Sequence, residues 1–154
     1  MRRPTVNDFR EMLERIMGAP PVAEPAPTLA EQQGITQELG DAVACLAEAE
    51  LAAGRTEIAR AILEGLVVTN HRDAGAWALL SAAHRKLAQP LAARFCAEVA
   101  TTLAPADPWI RLARAESLLS FPDARGEARG MLEGLAADAD VGERARVLLG
   151  ALPE

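Results

Sequence analysis

The sequence predicts an all-α fold built of stacked helical hairpins, and three observations predict it. Half of the residues are hydrophobic, yet aromatics make up only 3% and Tyr is absent. Alanine carries much of the apolar content, and alanine-rich, charged, aromatic-poor chains form helices that pack closely. Apolar residues also recur with the period of a helix. Trp77, Leu80, Ser81 and His84 share one stripe, and Ala93, Cys96, Ala97 and Ala100 form a second after a break at Ala88-Gln89-Pro90. The third observation is self-similarity at a shift of about 34 residues, the period of a helix-turn-helix repeat.

The chain opens on Val6, Phe9, Met12, Leu13, Ile16 and Met17, which fall on one face of an amphipathic helix ending at Met17. Such a short helix is marginal by itself. It is either a fraying end on its own domain or a docking segment, with Phe9, Leu13 and Ile16 available for self-association as a homodimer. Residues 18–27, GAPPVAEPAP, hold four prolines in ten residues. They predict an extended tether between that helix and the body.

The body is expected over 28–154. Thr28 and Glu31 have capping-box spacing and start a short helix reaching about Leu39, interrupted by Gly34 and Gly40. The central unit runs from Ala74 to Asp107, with a bulky Trp77, a small Ser81, Ala93 and Ala100 on the second helix, and a closing Pro105. This is the pattern of a tetratricopeptide repeat. One period earlier, Ser81 maps to Ala47 and Ala93 to Ala59, with Gly54 in the turn. That predicts a repeat over 40–73 with helices Asp41–Ala53 and Glu57–Val68. One period later, Ser81 maps to Ala115, but the next alanine, Ala128, comes one residue late, which places a slip in the Phe121-Pro122-Asp123 turn of a repeat over 108–140. A capping helix follows at 141–150, its apolar side carrying Val147, Leu148 and Leu149 and its polar side Glu143, Arg144 and Arg146.

In such a stack the first helix of each hairpin lines the concave side. The inward positions are Ala44, Glu48 and Leu51 in the first repeat, Ala78, Ala82 and Arg85 in the second, and Trp109, Leu112, Glu116 and Leu119 in the third. Small side chains leave room and Leu and Trp supply apolar walls. This suits an extended peptide with spaced apolar anchors. The competing reading is that the alanines only permit tight packing and that Trp109 is a core residue. Trp77 is assigned to the core.

A net charge of −6, from 22 acidic and 16 basic residues, argues against nucleic acid. Arg111, Arg114, Arg125 and Arg129 read as a solvated face. Cys45 and Cys96 lack metal or redox spacing and are expected to be buried free thiols. His71 and His84 lack partners for a metal site. With no nucleotide, hydrolase or metalloprotease motif, neither catalysis nor a cofactor is expected. No run spans a membrane and residues 1–18 have no apolar signal core, so stable membrane insertion is not expected and the location is expected to be cytoplasmic.

The run AGRTEIARAILEGLVVTNHRDAGAWALLSAAHRKL, followed by PADPWIRLARAESLL and ARGEARGMLEGL, resembles the class II chaperones of type III secretion, the SycD/LcrH type. The points of likeness are His71 with Asp73, Leu80 through Leu87, Asp107-Pro108, and Ala115 through Leu119, within Thr28 to Leu135. The resemblance implies a cytoplasmic chaperone that holds a hydrophobic translocator protein before export, gripping a short segment of it in the concave groove. It also implies self-association through the N-terminal helix. Few groove aromatics and the Pro-rich tether depart from that pattern. A chaperone of the secretion needle subunit and a general scaffold repeat protein are the alternatives.

Overall fold

The computed structural model describes residues 25–153. Among them there is helix and no strand, which agrees with the predicted fold class. The helices are α1 (Leu29–Gln32), α2 (Gln37–Ala52), α3 (Thr56–Thr69), α4 (Ala74–Lys86), α5 (Pro90–Leu103), α6 (Pro108–Leu118), α7 (Arg125–Leu135) and α8 (Gly142–Ala151), with a 3-10 turn at Pro122–Ala124. The amphipathic segment with Phe9, Leu13 and Ile16, and the tether up to Glu24, lie outside the described residues.

The helix starts follow from local chemistry. At α1 the Glu31 amide donates to Thr28 Oγ1 at 3.2 Å and the Thr28 amide donates to Glu31 Oε2 at 2.6 Å, closing the predicted capping box. The Thr36 hydroxyl accepts from the Leu39 amide at 3.2 Å and starts α2. That helix therefore begins at Gln37 instead of Asp41 and runs through Gly40. One interior glycine costs only ~1 kcal/mol, too little to override a capped helix with a packed face. Asp73 caps α4, and Pro90 and Pro108 occupy the first turns of α5 and α6.

The helices pair as hairpins α2–α3, α4–α5 and α6–α7, each hairpin packs on the next, and α8 lies on α7. The first helices also touch each other, α2 with α4 and α4 with α6. Each hairpin has two small residues with no exposure at its predicted crossing positions: Ala47 and Ala59, Ser81 and Ala93, and Ala115 and Ala128. Ser81 Oγ donates to the Ala93 carbonyl at 2.7 Å across the central crossing.

The three hairpin turns explain the one-residue slip. Gly54 has φ +79° and Ala88, one period later, has φ +56°. The next equivalent is Pro122, whose ring fixes φ near −65° and forbids that left-handed turn. The chain takes a 3-10 turn instead, and the second helix starts later in its repeat.

The core has two main clusters. One joins Ala47, Leu51, Leu63, Val67, Leu80 and Cys96 of the first two hairpins. The other joins Leu112, Leu132, Leu135, Val141 and Ala145 of the third hairpin and α8. Two expectations are corrected here. Cys45 is exposed, because α2 buries Ala47 and Leu51 and Cys45 points the other way. Val147 is exposed too: α8 buries Gly142 and Ala145, just after the buried Val141, and leaves Leu148 and Leu149 half-buried. Gly142 permits this fold-back, since a Cβ there would meet the Ala136 carbonyl oxygen at 2.8 Å.

Candidate functional site

The first helices of the hairpins, with α8 closing one end, enclose an open cleft of ≈ 630 Å³. Its lining includes Glu48 from α2, Gly75, Ala78, Leu79 and Ala82 from α4, Trp109, Ile110, Leu112, Ala113 and Glu116 from α6, and Arg144 from α8. The floor is low because α4 places Gly75, Ala78 and Ala82 there, with Leu79 beside them. Trp109 stands at the rim, 58% exposed, at the start of α6. Asp107 positions it: the carboxylate accepts from the Trp109 amide at 2.8 Å and the Ile110 amide at 3.3 Å. That fixes where α6 begins and hence where the indole projects.

One end of the cleft is ionic. Glu116 is nearly buried, at 9% exposure. One of its oxygens accepts from Arg85 of α4, and the other accepts from Arg144 Nε of α8 at 2.9 Å. The carboxylate thus ties the second hairpin, the third hairpin and the closing helix together. Burying a carboxylate is costly, and two guanidinium partners offset the cost. Because the pairing takes up that acid, the exposed carboxylates along the cleft are Glu48 and Asp107.

Six of the ten sequence-predicted groove residues line this cleft: Glu48, Ala78, Ala82, Trp109, Leu112 and Glu116. Four do not. Leu51 is buried in the first core cluster, and Leu119 packs against the core beside α7 and α8. Ala44 is half-buried on α2 outside the cleft, and Arg85 serves it only through Glu116. Both leucines lie near a helix end, where the inward face turns into the hairpin interface. Leu79 and Ala113 were missed because the inward face is wider than the positions counted, and a helical-wheel count one residue broader finds both. Arg144 belongs to the polar side that the sequence predicts for the closing helix. Nothing in the sequence signals its turn into the cleft, which depends on how α8 folds back.

Trp77 sits half-buried against the first core cluster, and its Nε1 donates to the His71 carbonyl at 2.9 Å. Its ring meets Phe95 edge-on with centroids 6.2 Å apart. Arg114 and Arg129, two of the four arginines read as a solvated face, are engaged by neighbouring groups. Arg114 binds Glu98 at 3.0 Å and Glu127 at 2.8 Å, and Arg129 donates to the Pro153 carbonyl at 2.6 Å. Among the described residues no three His, Cys, Asp or Glu side chains group as metal ligands would, and no helix is long and apolar enough to cross a membrane.

No protein-family model and no curated protein sequence matches the chain. Solved structures do match its fold. The type III secretion translocator chaperone SycD of Yersinia enterocolitica superimposes with a TM-score of 0.70 at 21% identity, covering 83% of this chain and 100% of that one. This is the fold of the type III secretion translocator chaperones. SycD in complex with a peptide of the translocator YopD gives a TM-score of 0.61 at 22% identity, covering 76% of this chain and 94% of that one. PcrH, from Pseudomonas aeruginosa, in complex with the chaperone binding region of PopD gives 0.64 at 21% identity, covering 77% and 93%.

Proposed function

We propose that this chain is a non-enzymatic cytoplasmic chaperone that holds a short extended segment of a hydrophobic secreted translocator protein in the cleft between α4 and α6. The observation that carries the reading is the cleft itself: an apolar trough with a small-residue floor of Ala78 and Ala82, a Leu112 wall and an exposed Trp109 at its rim. An extended peptide needs this shape, with room for its backbone and apolar pockets for alternate side chains. Support comes from the fold shared with SycD, solved with a peptide of the translocator YopD, and with PcrH, solved with the chaperone binding region of PopD. Glu48 and Asp107, exposed beside the apolar floor, suit a segment with a basic residue next to its apolar anchors.

Co-expression with the protein's candidate clients, followed by affinity purification and calorimetry, tests the proposal. An Ala78→Glu variant places a carboxylate on the apolar floor and is expected to weaken client binding about tenfold or more, the effect of ~1.4 kcal/mol. Its helical circular dichroism and melting should stay near the parent's. Undiminished binding by both Ala78→Glu and Leu112→Glu would remove the cleft as the site. Capture of a short helical filament subunit in place of a membrane-active protein would favour the needle-subunit reading.

A further inference from the structure

The outer face of the first hairpin is apolar and open. Leu39 and Leu46 on α2 are each 53% exposed, and Ile58 on α3 is 51% exposed. Leu39 also lines a shallow groove of ≈ 450 Å³ on this hairpin, whose walls include Val43, Ile62 and Leu66. The repeat shows how unusual this face is. One period later Leu46 becomes Leu80, Ile62 becomes Cys96 and Leu66 becomes Ala100, which are 3%, 3% and 0% exposed. In the second hairpin these positions lie under cover, Leu80 and Cys96 in one cluster with Leu63 and Val67 of the hairpin before. On the first hairpin that face lacks its covering layer among the described residues.

Two glycines point the same way. Gly40 and Gly65 lie inside α2 and α3, where glycine is less favourable than alanine. A Cβ at either would meet nothing within 4 Å, so the described fold does not require them. Both line this groove, where a missing Cβ lets another helix approach closely.

We infer that this groove is the seat of the chain's own N-terminal segment, Thr5–Met17, which docks as an amphipathic helix and supplies the missing first layer of the stack. Its stripe of Phe9, Leu13 and Ile16 matches an apolar groove in kind, and thirteen helical residues span ~20 Å. The described chain starts next to the groove. The Ala26 carbonyl accepts from Arg72, and Thr28 borders a smaller cleft that shares Ile35, Gly40, Leu66 and Thr69 with it. The Pro-rich run Gly18–Glu24 reaches about 20 Å at ~3.1 Å per residue, enough to lay the helix across the groove of its own chain. This face is separate from the proposed peptide cleft, and none of the groove's lining residues belongs to that cleft.

Thiol cross-linking in the full-length chain tests the inference. In a Cys45→Ser background, Leu13→Cys is paired with Ala61→Cys, an exposed groove residue that already carries a Cβ, and treated at micromolar dilution with a short bis-maleimide; a Leu13→Cys, Arg125→Cys pair is the control. The expected product is an internally linked monomer, formed several-fold more than in the control. A linked dimer would overturn the inference by placing the helix on a second copy. Yields equal to the control would overturn docking altogether. As a second readout, Leu13→Asp should raise binding of a hydrophobic dye several-fold and leave client binding in the cleft unchanged. Dye binding equal to the parent's would likewise overturn docking.

Discussion

Cys45 and Cys96 both sit in helices, but their surroundings give them opposite chemistry. Cys45 is exposed on α2, whereas Cys96 lies in the first core cluster. Burial raises the Cys96 thiol from its ordinary 9.0 to about 11, because the apolar surroundings penalise the thiolate. At neutral pH a maleimide reagent is therefore expected to label one thiol in the native protein and two after denaturation. Rapid labelling of both in the native protein would show that the hairpin interface opens. The pH dependence has a definite sign. A raised thiol pKa means that the folded chain keeps its proton longer than the unfolded one. The stability held by the neutral thiol is complete below about pH 9 and is lost as pH rises through about 11.

At the scale of the element, the hairpin turns decide where each second helix starts. Ala88 holds a left-handed conformation at φ +56°, which Gly54 adopts freely one period earlier. A side chain in that conformation costs roughly 1–2 kcal/mol, partly offset because glycine loosens the unfolded chain. Ala88→Gly is therefore expected to stabilise the protein by about 0.5 kcal/mol, read as a raised denaturation midpoint with an unchanged slope. Gly54→Ala should move the midpoint the other way. A lowered midpoint for Ala88→Gly would mean that the turn carries no strain. The third turn has no such option, since Pro122 bars the left-handed conformation and the 3-10 turn replaces it.

Across the whole molecule, the two main core clusters are bridged at the cleft by Arg85, Glu116 and Arg144. Removing the shared carboxylate strands two guanidinium groups, of which Arg144 is half-exposed and rehydrates easily. Glu116→Ala is accordingly expected to cost about 1–3 kcal/mol, below the full penalty of a completely buried pair. Hydrogen exchange should show the loss concentrated in α8, with α2 and α3 little affected. Uniform loss across all helices would mean that Glu116 supports general packing and does not latch the closing helix.

Local chemistry and periodicity made much of this legible in the sequence. The small residues at the crossings, the Thr28–Glu31 capping box, Asp107-Pro108 at the start of α6 and the late arrival of Ala128 could all be read directly, because each is set by backbone geometry within a turn or by one repeat period. The central cleft residues Ala78, Ala82, Trp109 and Leu112 followed from the same period. What needed the tertiary structure was the fate of residues near helix ends and on the last helix. Leu51 and Leu119 turn into the core because their hairpins converge there, Cys45 turns out because α2 has one partner face, and Arg144 reaches Glu116 because α8 folds back at Gly142. A repeat period says which residues share a face. Only the packing of neighbouring elements decides which part of that face is covered and which charge comes within reach of another.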